Sequence, residues 1–332
     1  MADETVSLDV ARSFVARALE ASRTAPETAR LVADALVLAE ADGLKGHGLS
    51  RLESYAAQAL SGKVDGHAEP SVTKTAAASL MVDAAHGFAY PAIGLAIEAL
   101  KALSGETGIA AAGIRRSHHC GAAGHHVERL ARGGLVALMF ANTPQAIAPW
   151  GGKAGVFGTN PIAFAAPLEG RDPVVVDMSV SKVARGNILK ARQEGMPIPE
   201  GWAFGPDGEP TTDPESALEG TMAAMGDAKG VALALMVEVL AAGLVGASFA
   251  YEASNFFSGD GPPPDTGQLI LAFAPAAFAG PAFTDRMAAL AGAIEAQEGA
   301  RLPGLRRYEN RARAEREGVT IPAALIARFG PV

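Results

Sequence analysis

The segment Arg116-Ser117-His118-His119-Cys120-Gly121-Ala122-Ala123-Gly124-His125-His126 holds four of the chain's seven histidines and its only cysteine. A neutral imidazole serves as acid, base, hydrogen-bond donor or metal ligand near neutral pH, and Gly121 and Gly124 let the backbone turn tightly or approach a ligand closely. A reactive site is the first reading. The plainer alternative makes His118, His125 and His126 solvent-facing residues of a loop and helix start, with His119 the member best placed for chemistry. The same ligand types would suit a zinc-dependent hydrolase. The spacing fits neither H-E-x-x-H nor paired C-x-x-C, and no carboxylate lies inside the cluster, so no metal is expected.

A second constellation, His47, Arg51 and Tyr55, recurs every four residues. In a helix beginning near His47 these side chains form one slanted stripe, while Leu52, Ala56 and Ala59 face elsewhere and pack. Arginine offers a planar fork for a carboxylate, tyrosine a hydroxyl and histidine a proton. The trio suits an anionic substrate with an ionisable or carbonyl centre, against the plainer reading of an amphipathic helix with a surface arginine.

The elements that must carry these groups are legible from periodicity and punctuation. Ser7 caps a first helix with Val10, Phe14, Ala18 and Leu19 on one side, and Thr24-Ala25-Pro26-Glu27 has capping-box spacing for a second, striped by Leu31, Ala35 and Leu38. Residues 71–84 read as strands, 91–103 as helix and 108–114 as the strand that delivers the chain to the histidines. Helix follows to about Ala131, then a strand over 135–140. A long loop punctuated by glycine and proline comes next, holding Thr143 and Gly158-Thr159-Asn160-Pro161. Strands over 162–165 and 174–179 precede a surface loop at 192–214. The apolar run from Val231 to Tyr251 contains Glu238, a carboxylate too costly for lipid, and reads as a buried helix. A further strand spans 269–273, and helix dominates from 283 to 296 and near the C-terminus. Neither a phosphate-binding P-loop nor G-x-G-x-x-G occurs, so a standard dinucleotide fold gets no support.

With 49% hydrophobic and 19% charged residues, the chain is compact and globular rather than disordered, and a net charge of −8 argues against nucleic acid as a partner. One cysteine cannot close an intrachain disulfide, and no secretory or membrane signal is expected at the N-terminus, which points to the cytoplasm.

Together the motifs resemble the non-Rossmann (type-2) malate/L-lactate dehydrogenase family, which includes sulfolactate, ureidoglycolate and diketogulonate dehydrogenases and cyclic-imine carboxylate reductases. The resemblance rests on residues 41–55, on Ser117-x-His119-x-Gly121-Ala122-Ala123-Gly124, on Ala148-Pro149-Trp150-Gly151-Gly152, on 158–161, on Asp177-Met178-Ser179 and on Lys229-Gly230. It implies an α/β fold with a mixed, non-Rossmann sheet flanked by helices and a helical N-terminal/C-terminal subdomain. Residues 1–75 would pack with 281–332, and 76–280 would form the sheet-containing, cofactor-binding part. The implied protein is a homodimer that moves a hydride between NAD or NADP and a small 2-hydroxy or 2-oxo acid of malate, lactate or sulfolactate type. Piperideine- or pyrroline-2-carboxylate reduction is the alternative.

On the same resemblance His47, His119, Arg51, Tyr55 and Thr159 form the catalytic set. The cofactor set is His119, Cys120, Gly121, Ala122, Ala123, Thr143, Asp177, Met178, Ser179, Lys229 and Gly230, with Arg301, Gly304, Arg306 and Arg307 at its phosphates. The chain departs from many relatives at Gly46, where they carry serine, near Asn187, where the cyclic-imine reductases use an aspartate, and at Leu305, where glutamate is common. A metal-free reading predicts that a strong chelator leaves nicotinamide-dependent activity intact. Loss on chelation with recovery on adding zinc would count against it.

Overall fold

The computed structural model describes residues 2–332. β1 (Glu4–Val6) leads to Ser7, whose hydroxyl accepts from the Val10 amide and caps α1 (Leu8–Glu20). α2 (Pro26–Ala41) starts differently from the expected capping box. Ala25 is the cap, its amide bonds to the Gly66 carbonyl, and the Thr24 hydroxyl is buried without a partner. On α1 the expected stripe is buried at Phe14, Ala18 and Leu19, with Val10 exposed, whereas on α2 the enclosed side lies beside the expected one, Leu31 being exposed and Val32, Leu36 and Val37 enclosed.

α3 (Leu52–Ser61) is followed by β2 (Ser71–Ala76), β3 (Ser79–Asp83), α4 (Ala89–Thr107), β4 (Ile109–Ser117), α5 (Ala123–Arg132), β5 (Val136–Ala141), β6 (Ile162–Ala166) and β7 (Val174–Met178). The region expected as a surface loop is more structured than that. It holds the end of α6 (Arg185–Glu194), then β8 (Ala203–Phe204) and β9 (Pro210–Thr211), which join β10 (Thr221–Met222) beyond α7 (Pro214–Glu219) in a small sheet over Ile188, Ile198 and Ala217. α8 (Ala228–Glu238) continues as one π-helical stretch, Val239–Gly243. The long apolar run is therefore not a buried helix. Ala234, Val237 and Ala241 face inward, while Leu235, Met236, Val239 and Leu244 are exposed. No helix among the described residues is long and apolar enough to cross a membrane. β11 (Thr266–Phe273), α9 (Ala282–Glu295), α10 (Leu305–Glu317), β12 (Val319–Ile321) and α11 (Ala323–Phe329) complete the chain.

The main sheet runs β2-β3-β4-β11-β5-β6-β7, with β3 and β4 parallel and every other neighbouring pair antiparallel. On one face α4 and α5 bring Ile93, Ile97, Leu100, Val127 and Leu130 against Ala110, Ala112, Ile114 and Met139. Each large side chain enclosed there contributes roughly 1.5–3 kcal/mol. The alanines of β4 keep the sheet surface low, which lets α4 lie close. On the other face Val237, Ala241 and Val245 cover Phe140 and Leu269.

A second core joins the two ends of the chain. Phe14, Leu19, Leu36, Leu52 and Tyr55 pack with Ala314, Ile321 and Ile326, and β1 pairs antiparallel with β12 through Val6 and Val319. Register gathers the loop ends of the main sheet on one side: Ser117 pairs with Thr266, Gln268 with Ala141, Phe140 with Ile162 and Ile162 with Met178. The histidine segment, Thr143, Thr159 and Ser179 all leave the sheet at that end.

Buried charge locks the helical part to the sheet. The Asp42 carboxylate, without solvent exposure, accepts from His125 Nε2 at 2.9 Å, from Arg311 Nε at 2.8 Å and Nη2 at 2.9 Å, and from Arg307 Nε at 3.2 Å. Glu128 on α5 accepts from Arg311 Nη1 and Arg307 Nη2. Burial alone would raise the Asp42 pKa, but bonds from Arg311 and His125 outweigh it and hold the group at about 2. A depressed carboxyl adds stability above its unfolded pKa, and that stability is lost as pH falls through the folded value. Asp42→Asn is expected to cost about 3–5 kcal/mol in denaturant unfolding at neutral pH and to flatten the loss of stability between about pH 4 and pH 2. An unfolding midpoint equal to that of the parent would show that this carboxylate does not hold the parts together.

Candidate active site

β4 ends at Ser117, and the chain turns through His118 and His119 into α5. Gly121 makes the turn feasible, with φ of +68° and a Cβ position only 2.6 Å from the Tyr90 hydroxyl. All four histidines here are buried, so the solvent-facing reading of His118, His125 and His126 is wrong. Each has its own partner: His118 meets Gln58 Oε1 at 3.0 Å, His125 meets Asp42, and His126 meets the Cys120 carbonyl at 2.8 Å. Among the described residues no three histidine, cysteine or acidic side chains converge as metal ligands. Burial, aided by Asp177, pushes the Cys120 thiol up to about 12, which leaves it a poor nucleophile.

His119 is tied instead to the second constellation. Its Nδ1 lies 2.6 Å from the Tyr55 hydroxyl, which also contacts Tyr90 Oη at 3.1 Å. The His47 ring stacks on His119 at 5.5 Å between centroids. The expected continuous helix from His47 does not form. Two 3₁₀ turns, Lys45–His47 and Leu49–Arg51, are separated by Gly48, and α3 starts only at Leu52. A Cβ at 48 would run into the Glu40 carboxylate, which instead accepts the Leu49 amide at 3.0 Å. His47, Arg51 and Tyr55 thus reach one place by a bent path rather than a helical stripe. Leu52, Ala56 and Ala59 pack as expected.

Arg51 donates through Nε to the Gly46 carbonyl at 2.7 Å and lies 4.8 Å from the Phe257 ring centre. Its Nη1 is buried with no partner among the described residues. Burial first, and the Arg51 charge second, hold His47 at about 4 and His119 well below the usual histidine range. Both imidazoles are therefore neutral at pH 7. Burial raises the Tyr55 phenol to about 12 against the opposing pull of Arg51, so it keeps its proton.

Thr143 and Thr159 meet at the same end of the sheet: the Thr159 amide donates to Thr143 Oγ1 at 2.9 Å, and the hydroxyls are 3.3 Å apart. Sequence reasoning assigned Glu238 no role here, although an acid inside an apolar run was a visible anomaly. Its buried carboxylate accepts from Asn160 Nδ2 at 2.9 Å and from the Gly158 and Ala250 amides, and Asn160 Oδ1 in turn accepts the Thr143 amide. Also missed were Phe256 and Phe257, whose rings flank His119 and Arg51.

The other expected positions divide. Asp177 Oδ2 accepts the Gly124 amide at 2.8 Å, and packing around the carboxyl raises its pKa although part of the residue reaches solvent. Met178 is exposed and Ser179 bonds to Ser181 Oγ at 2.9 Å. Lys229, Arg301 and Arg306 are exposed, and Gly230 is buried under the Met225 backbone. Gly304, at φ +94°, packs on Val175. Arg307 is largely committed to Asp42 and Glu128, but its Nη1 is buried beside Gly124 without a partner.

The sequence profile of the family described as malate/L-lactate dehydrogenase matches residues 6–329. The chain is 50% identical over 321 residues, covering 97% of itself and 96% of the relative, to a (2R)-3-sulfolactate dehydrogenase (NADP(+)) of Chromohalobacter salexigens. It is 43% identical over 298 residues, 88% of this chain and 86% of the relative, to a Δ1-pyrroline-2-carboxylate/Δ1-piperideine-2-carboxylate reductase of Pseudomonas putida. The crystal structure of Δ1-piperideine-2-carboxylate reductase from Pseudomonas syringae pv. tomato superposes with a TM-score of 0.93 at 38% identity, covering 98% of each chain. The mixed sheet, the helical part closed by both chain ends and the histidine-bearing strand end are thus those of a known group: the chain belongs to the malate/L-lactate dehydrogenase family and is a nicotinamide-dependent dehydrogenase of small acids.

Proposed function

We propose that His47, Arg51, Tyr55 and His119 are the groups that handle the acid, a 2-hydroxy/2-oxo acid for which sulfolactate is the first candidate on the 50% identity to a sulfolactate dehydrogenase. The observation that carries this reading is the buried Nη1 of Arg51, which has no partner among the described residues, on a guanidinium to which no carboxylate is bonded. A substrate carboxylate supplies that partner through charge-assisted hydrogen bonds. Tyr90 donates to Tyr55 and Tyr55 to His119 Nδ1, which leaves the His119 proton on Nε2, ready to bond a carbonyl oxygen. His47, neutral, is the acceptor for a hydroxyl proton. The paired hydroxyls of Thr143 and Thr159 offer further polar contacts at this end of the sheet. Reduction of a cyclic-imine carboxylate is the second reading, supported by the 43%-identical reductase. On the family resemblance those reductases use an aspartate near the position of Asn187, which is exposed on α6 here, and the hydroxy acid is preferred for that reason.

The cofactor fits the remaining groups. His119 to Ala123 lead into the start of α5, where backbone amides favour negative charge. Arg307 Nη1 is free beside Gly124, and Lys229, Arg301 and Arg306 are exposed cations. Thr143, Asp177, Met178, Ser179, Gly230 and Gly304 complete the set. The nicotinamide, when bound, supplies or accepts the hydride. In this reading residues 76–280 hold NAD or NADP, and residues 1–75 with 281–332 contribute His47, Arg51 and Tyr55. Two copies pair through the exposed apolar face of α8, and the enzyme works in the cytoplasm.

Arg51→Lys keeps the charge but loses the fork, and kcat/KM across a panel of 2-oxo acids with both cofactors is expected to fall by about 10-fold or more. Unchanged kinetics would remove Arg51 from the site. His47→Ala and His119→Ala are each expected to lower turnover by about 10²-fold, and only loss of the true proton carrier should erase a limb of the pH–rate profile. Near-normal turnover in both variants would put the site elsewhere.

A further inference from the structure

Lys63 lies two residues beyond α3, past the left-handed Gly62, and is only 2% exposed. Among the described residues it forms no ion pair. Its Nζ instead donates to three backbone carbonyls of one loop, Asn255 at 2.7 Å, Ser258 at 3.1 Å and Asp260 at 2.7 Å. An ammonium has three donors and no acceptor, so this cradle saturates it. Burial lowers the Lys63 pKa, partly offset by the charge of Asp260. A ring of carbonyl oxygens around a monovalent charge is also how proteins coordinate potassium.

The loop so gathered has no helix or strand of its own between residues 254 and 265. Its other anchors are side-chain bonds and end contacts: Gln58 Nε2 donates to the Phe256 carbonyl at 2.9 Å, Asn255 Oδ1 accepts the Phe257 and Ser258 amides, Ser254 Oγ donates to the Pro262 carbonyl at 2.7 Å, and Ser248 holds Asp265. Yet the loop delivers two aromatic rings to the site, Phe256 at 5.1 Å from His119 and 5.3 Å from His118, and Phe257 at 4.8 Å from Arg51. A chain segment without ladder hydrogen bonds needs some other force to hold it against its own conformational entropy. Beside the Arg51 guanidinium over the Phe257 ring, the ammonium is the charge that bonds to the loop's backbone.

The geometry points to Lys63 as a tethered monovalent cation that fixes the Phe256–Phe257 wall over Arg51 and His119, and so to a positioning residue for the acid substrate. This rests on the reading that Arg51 and His119 line the substrate site. Removing the side chain leaves a carbonyl cradle open to a free cation of similar size.

The experiment compares Lys63→Ala with the parent in chlorides of potassium, methylammonium and tetramethylammonium at equal ionic strength. The melting temperature of the variant is expected to fall. KM for the best 2-oxo acid is expected to rise by about 10-fold or more while kcat changes by less than about 3-fold. Potassium and methylammonium should restore both, and tetramethylammonium, too large for the cradle, should restore neither. Equal recovery in all three salts, or recovery in none, assigns Lys63 only a packing or general ionic role and overturns the proposal. So does a variant indistinguishable from the parent. The melting temperature reads the cradle without turnover, so the cation effect is decided even if no tested acid is a substrate. Cation-dependent melting with an unaltered KM would break the link to the site. Should the variant not fold, reductive methylation of the parent decides: Lys63 is expected to stay unlabelled while exposed Lys74 reacts, and equal labelling overturns the cradle.

Discussion

One carboxylate that water does not reach holds the molecule in register. Asp42 ends α2, yet its partners come from α5 and from α10, which is more than 260 residues along the chain. Two arginines and a histidine around a single buried anion would be a liability without Glu128, a second buried carboxylate that accepts from both guanidinium groups. Buried pairs of this kind add little net stability over a well-packed apolar replacement, but a missing member leaves charge stranded. Their effect is selective. The same docking of the terminal helices on the sheet that pairs these charges brings the loop bearing His47 and Arg51 against the strand end bearing His119.

Around His119 the arrangement is of a different kind, with hydroxyls and rings instead of ion pairs. Tyr55, Phe256 and His47 surround the imidazole, Tyr90 bonds to Tyr55 behind it, and the adjacent cation, Arg51, keeps a buried nitrogen without a partner among the described residues. Glu238 braces the neighbouring threonine pair from behind through Asn160 and main-chain amides. Its pKa is raised chiefly by burial, while the hydrogen bonds it accepts pull the other way. Rigid support of this sort suits a site whose donors have to be in place before the substrate arrives.

Much of this was legible from residue types and spacing. The strand before His119, the helix after it and the four-residue spacing of His47, Arg51 and Tyr55 are local signals, and they located the groups that meet. The path between them was not legible, because Gly48 breaks the helix for the sake of a tertiary contact with Glu40. Long-range partners left no mark in periodicity either: Gln58 finds His118 at a separation of 60 residues, and Lys63 finds its carbonyls nearly 200 residues away. In the region read as a surface loop, glycine and proline hid strands of two residues each, too short to show alternation. Where one-sided burial of a helix depends on what covers it, as in α8, hydrophobicity alone gave the wrong exposure.

The unpaired Arg51 also joins two equilibria that are usually treated apart. Its field is among the causes that keep His47 and His119 uncharged, second only to their burial. A carboxylate seated on the guanidinium would cancel that field and so make protonation of the neighbouring imidazoles easier. By reciprocity a proton on either ring tightens the hold on the anion. If the proposed acid substrate seats on Arg51, it and a hydrogen ion would therefore bind as a cooperative pair, and calorimetric binding heats would vary with the ionisation enthalpy of the buffer.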